Sequence, residues 1–109
     1  MANLKTIKVT CTAANTAYNV VTGTTVAPAV ARDNTLVGQE VTIQNQTSGS
    51  VLTVGGSDVV SNGGIQVLYR GAYSLGNLTS TFSGIQLQEF WVSSDTAGAV
   101  GIVQLRKAV

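Results

Sequence analysis

Histidine is absent from this chain, and that absence shapes any chemistry it could perform. Without histidine there is no Ser-His or Cys-His nucleophile pair, and the commonest general base and metal ligand are gone. The five carboxylates are Asp33, Glu40, Asp58, Glu89 and Asp95. Glycoside hydrolysis needs two carboxyls facing each other across a cleft, and these five are scattered. Asp58 and Asp95 fall in turn sequences, where carboxylates bond nearby backbone amides. Glu89 lies beside Phe90 and Trp91, as a solvent-facing side chain or as half of an interface salt bridge. Gly55-Gly56-Ser57-Asp58 lacks the Lys-Ser/Thr pair and following helix of a phosphate loop. The acidic spacing fits no calcium loop. Cys11 is the single cysteine, so neither an internal disulfide nor a multi-cysteine metal site can form. It alternates in phase with Ile7 and Val9, as a small core residue would. These residues predict a protein that is not an enzyme, with no catalytic residue, no metal and no cofactor. An enzyme of unknown chemistry is the least favoured class.

The aromatic and cationic residues fit binding better. Phe90 and Trp91 are adjacent, so in a strand they point to opposite faces. One can be core; the other is an interface anchor unless the chain's own loop, such as 76–84, covers it. Tyr69, Arg70 and Tyr73 surround Gly71, and Tyr with Arg is enriched at binding hot spots. The candidate interface residues are therefore Tyr69, Arg70, Tyr73 and Trp91.

The elements that must position them are strands. Ile7, Val9 and Cys11 alternate with Lys8, Thr10 and Thr12, the period-two pattern of a half-buried strand. Residues 17–21 form a second candidate. Residues 40–45 and 50–54 flank the turn Gln46-Thr47-Ser48-Gly49 and read as a hairpin. Val59 and Val60 start a short strand that Ser61-Asn62-Gly63-Gly64 ends. Residues 65–70 alternate up to Gly71, and 72–75 continue extended. Residues 86–93 read as one long strand and 95–98 as a turn. The last strand, 100–105, carries apolar residues on both faces, so it should be central or covered on both sides. No window predicts a helix. Residues 27–38 read as a loop or arm within a single domain spanning 1–109. The fold expected is an all-β antiparallel sandwich, jelly-roll-like, of about seven or eight short strands.

Composition narrows the partners. Hydrophobic residues make up 44% of the 109 and charged residues only 10%, against roughly 25% in an average domain. Mean hydropathy is +0.28, the opposite of a disordered composition. A surface of Thr, Ser, Asn, Gln and Gly offers little charge repulsion between copies. It fits burial in an assembly, with a neutral monomer as the alternative. Net charge is +1 and no basic run exists, so nucleic acid is not an expected partner. The longest apolar run, 26–31, contains Pro28 and is too short to span a bilayer. No basic stretch and apolar core mark a secretory signal. Asn45-Gln46-Thr47 and Asn77-Leu78-Thr79 match the glycosylation sequon, as chance allows in so Asn- and Thr-rich a chain.

The order of motifs resembles small virion-associated proteins of tailed bacteriophages. The resemblance rests on Val51-Leu52-Thr53-Val54-Gly55-Gly56-Ser57-Asp58-Val59, then Asn62-Gly63, then a strand ending Arg70-Gly71. It continues through Phe90-Trp91-Val92-Ser93-Ser94-Asp95-Thr96-Ala97-Gly98 and covers roughly residues 38 to 105. Residues 27–36 depart from it. The resemblance implies a capsid decoration (cement) protein, or another small head or tail component, located in the virion after synthesis in the host cytoplasm. Its implied partners are further copies of itself, as a dimer or trimer, and capsid or other virion proteins. A receptor- or carbohydrate-binding sandwich on a tail or fibre is the alternative, with Trp91, Tyr69 or Tyr73 stacking on sugar rings.

Overall fold

The computed structural model describes residues 4–29, 37–38, 40–59, 63–76 and 85–106. Among them are ten strands: β1 (Leu4–Cys11), β2 (Tyr18–Asn19), β3 (Val37–Gly38), β4 (Glu40–Asn45) and β5 (Val51–Gly55), then β6 (Ile65–Leu68), β7 (Ala72–Gly76), β8 (Ile85–Gln86), β9 (Trp91–Ser94) and β10 (Ala99–Arg106). Three of these are two-residue pairs, so seven strands are four residues or longer. One turn of 3-10 helix, Leu87–Glu89, separates β8 from β9. The molecule is all-β, as expected.

The pairing follows a single rule. β1 pairs with β10, β2 with β9, β3 with β8, β4 with β7 and β5 with β6, all antiparallel. The chain is thus one long hairpin that doubles back between β5 and β6. Rolling that hairpin brings β4 against β10 and β5 against β9. Two four-stranded sheets result, β1-β10-β4-β7 and β2-β9-β5-β6, with β3-β8 as a short third piece. This is the jelly-roll arrangement of two interlocked Greek keys.

Alternation puts one face of each sheet inside. In β4, Val41, Ile43 and Asn45 are buried while Glu40, Thr42 and Gln44 are half-exposed. In β10, Ala99, Gly101, Val103 and Leu105 are buried. This strand is central, between β1 and β4, as its apolar content predicts. Cross-strand partners such as Val9 with Gly101 and Cys11 with Ala99 share the inner face. The core joins Val41, Ile43, Val103 and Leu105 of one sheet to Leu52, Val54 and Val92 of the other.

Three local expectations are corrected. First, β4 and β5 are not a hairpin, because they belong to different sheets. Residues 46–50 cross the end of the roll, and the Asn45 side chain holds that crossing. Its Nδ2 donates to the Ser50 and Val67 carbonyls, at 2.9 and 3.1 Å. Its Oδ1 accepts from the Thr47 amide and the Ser50 hydroxyl, at 3.0 and 3.2 Å. Second, the strand expected over 17–21 is only Tyr18–Asn19. The Asn19 Oδ1 accepts from the amides of Val21 and Thr22, at 2.9 and 3.2 Å. A short polar side chain captures its own backbone there and ends the ladder. Third, 86–93 is not one strand. The chain turns at Leu87–Glu89, where the Phe90 amide donates to the Leu87 carbonyl at 3.2 Å. The Asn19 Nδ2 bonds the Gln88 carbonyl in that turn, at 2.9 Å.

The segment read as a loop or arm, 27–38, is described only at 27–29 and 37–38, and most of the loop read over 76–84 lies outside the described residues. So do Val60, Asn62 and the second sequon at Asn77. The sequon at Asn45 is buried, with its amide nitrogen donating twice, so that nitrogen is not available in the folded state. Among the described residues no helix is long and apolar enough to cross a membrane.

Candidate interaction surface at the free edges

Among the described residues β6 is one edge of its sheet and β7 one edge of the other, with β2 and β1 at the opposite edges. Tyr69–Gly71 links β6 and β7 directly, so these two edges lie along one flank of the roll. That flank carries exposed apolar side chains: Ile65 at 52%, Leu68 at 64%, Tyr69 at 41% and Leu75 at 41%. Single exposed apolar residues need no explanation; four of them along the β6–β7 flank, Ile65 and Leu75 toward one end and Leu68 and Tyr69 toward the other, make it the candidate interaction surface.

At one end of the flank is an open cleft of about 410 Å³. Register explains its lining. Ile65 pairs with the core residue Val54, and Tyr73 and Leu75 pair with Ile43 and Val41. All three lie on the inner phase of strands at sheet edges, where among the described residues no further strand pairs beside them. Ile85 and Phe90 form another wall, and Gln86 and Glu89 supply polar atoms. Glu89 is exposed. Asp58 sits at the same end, its carboxylate close to Gly56 of the cleft wall.

At the other end is the turn between the two strands. Arg70 has φ of +66°, a conformation uncommon outside glycine and asparagine. Three hydrogen bonds hold it: Arg70 amide to Asn45 carbonyl at 3.1 Å, Gly71 amide to Leu68 carbonyl at 2.7 Å, and Asn45 amide to Gly71 carbonyl at 3.3 Å. A Cβ on Gly71 would come within 3.0 Å of the Leu68 carbonyl oxygen, so the tight turn favours glycine there. The Arg70 guanidinium lies 5.3 Å from the Tyr69 ring centroid, a cation–π contact.

The structure therefore divides the four residues picked from the sequence. Tyr69 and Arg70 stand together at the exposed turn. Tyr73 is half-buried in the cleft and packs on the core. Trp91 does not present its ring to solvent: it is 8% exposed, on the outer face of its sheet in register with Asn19 and Gly55. Phe90 packs partly against the core. Ile65, Leu68 and Leu75 were not among the candidates. The signal for two of them lies in the run Ile65-Gln66-Val67-Leu68-Tyr69, which is apolar in both phases of a strand.

The titratable groups away from this flank have structural explanations. Burial pushes the Cys11 thiol up to about 11 from 9.0, which keeps it protonated and unreactive. Asp95 is held below its ordinary 3.8, first by the Val51 amide and then by the Thr96 hydroxyl, at 3.0 and 2.9 Å. Its carboxylate ties the β9–β10 turn to the start of β5. A depressed carboxylate stabilises the fold above its unfolded value, and that contribution is lost as pH falls through the folded value. Asp95→Asn is therefore expected to flatten the loss of stability on acidification below pH 3.8, as read by denaturant melts across a pH series. Equal acid sensitivity in both proteins would show that the contact is inert. Thr53 and Ser93 are register partners whose buried hydroxyls have no hydrogen-bond partner among the described residues. Also among the described residues, no three of the His, Cys, Asp and Glu side chains gather where they could hold a metal.

Compared with known proteins, the chain matches no family model, no curated protein and no solved structure.

Proposed function

We propose that this chain is a non-enzymatic structural protein of a bacteriophage virion, specifically a capsid decoration protein that binds copies of itself and the assembled shell. The observation that carries this reading is the apolar flank of Ile65, Leu68, Tyr69 and Leu75 on a chain with so few charges. Jelly rolls recur in viral capsid proteins, although a fold alone assigns no function. The motif order from Val51 to Gly98 supports the phage assignment as a resemblance. Among the described residues no strand pairs with the outer edges of β6 and β7, where a neighbouring chain could add one. Several weak contacts on one oligomer would grip a repeating lattice far more tightly than one. Binding only to the assembled state would then stabilise the shell by mass action.

Light scattering on a size-exclusion column, across a concentration series, tests the self-association. A dimer or trimer that persists on dilution is the expected result. A strict monomer at every concentration would overturn the oligomeric part.

A second reading draws on the cleft. Tyr73 and Phe90 bring aromatic rings to it, and Gln86 and Glu89 bring polar groups. Jelly rolls also serve as lectin domains. A monomer that binds an immobilised glycan, and loses that binding on Tyr73→Ala while still folded, would favour a receptor- or carbohydrate-binding role.

A further inference from the structure

The cleft and the turn at the two ends of the free flank are complementary in chemistry. The cleft is apolar, with the Glu89 carboxylate at its rim and Asp58 nearby. The ligand that fits it is a pair of apolar side chains followed by a cation. The Leu68-Tyr69-Arg70 turn has that composition, in that order, and is exposed. Among the described residues neither Arg70 nor Glu89 has an ion-pair partner.

Both features lie on the same two strands but at opposite ends. β6 starts at Ile65 in the cleft and ends at Leu68 by the turn. β7 leaves the turn and runs to Leu75 at the cleft. Bringing two copies together with these edges antiparallel exchanges the ends, so each turn meets the other copy's cleft. Such a contact is made twice and is closed by a two-fold axis.

We propose that the cleft of one copy receives the Leu68–Arg70 turn of a second copy, with the Arg70 guanidinium set against the Glu89 carboxylate. This rests on the self-association in the reading above and gives it a geometry. The backbone of the turn supports an outward role. Left-handed φ at a non-glycine residue costs about 1 kcal/mol or more. A strained arginine whose guanidinium meets, among the described residues, the ring of its exposed neighbour Tyr69 is a candidate functional position.

A charge exchange tests it. Arg70→Glu and Glu89→Arg are each expected to weaken dimerisation by about tenfold or more, measured by sedimentation or light scattering over a dilution series. Carrying both changes restores opposite charges with their places swapped, and dimerisation should recover most of the loss. Both side chains are exposed, so circular dichroism melts should stay close to wild type in all three. Arg70→Gly supplies a separate reading: it relieves the left-handed strain, so its melt should be no lower than wild type, yet it should dimerise less. An oligomer indifferent to the single changes, a double variant no better than either, or a trimeric mass overturns the arrangement and leaves the virion reading standing. A wild-type monomer overturns the arrangement together with the self-association it rests on.

Discussion

Asn45→Leu is expected to destabilise the protein by about 3 kcal/mol or more, with the urea midpoint lowered and the slope unchanged. Asn45 is 1% exposed, and every hydrogen-bonding position of its side chain is used. Removing it strands the carbonyls of Ser50 and Val67 and the amide of Thr47. Each buried group left without a partner costs about 1–3 kcal/mol. Ser50 loses least, because its hydroxyl also bonds the Thr47 carbonyl at 2.8 Å. Leucine has the branching and heavy-atom count of asparagine with slightly bulkier ends, so the loss would not report a void. Asn45→Asp should be at least as damaging, since it removes both donors and buries a charge. The neighbouring Gln46 is exposed, and its side-chain Nε2 donates to the Gln44 Oε1 at 2.6 Å, while its backbone amide, which a substitution would keep, donates to the Val100 carbonyl at 2.9 Å. Gln46→Ala should therefore stay within about 0.5 kcal/mol. If the two positions respond alike, Asn45 does not hold the crossing between sheets.

That crossing also shows where sequence reading stopped. The strands β1 and β4 were legible because one face of each is buried, which imposes strict alternation on Ile7-Val9-Cys11 and on Val41-Ile43, and β10 was legible because its apolar residues fall on both faces. Alternation specifies a face and not a neighbour. The turn at 46–49 was equally compatible with a hairpin and with a step between sheets, and only Asn45's contacts with Ser50 and Val67 decide. Asn19 could not be read as a terminator from its type alone, since its side chain also reaches Gln88, far along the chain. The site divides in the same way. Tyr69 and Arg70 were legible because Gly71 marks a turn beside them and the contact between them is local. The cleft was not, because β5, β6, β7, β8 and the 3-10 turn each contribute to it. The burial of Trp91 was missed for a related reason. Whether the outer face of a sheet is covered depends on segments distant in sequence, which strand periodicity does not encode.

A close contact between the sheets, Leu52 against Gly101, predicts the second large effect. Leu52 is fully buried at the centre of the core. Leu52→Ala is expected to cost about 3–4 kcal/mol, the transfer of the lost methyls plus the cavity they leave. Its Cδ2 lies 2.9 Å from where a Cβ would stand on Gly101. Gly101 in β10 is thus the gap in one sheet that admits a leucine from the other. Gly101→Ala alone should then cost about 1–3 kcal/mol, because the core is too dense for Leu52 to rotate away freely. In the Leu52→Ala background the added methyl instead enters the cavity, so the double variant should be more stable than the sum of the singles implies. A coupling of about 1 kcal/mol or more in this cycle, from urea melts of all four proteins, is the expected result. Strict additivity would mean that Leu52 moves aside without strain, and that glycine at 101 is not what sets the spacing of the two sheets.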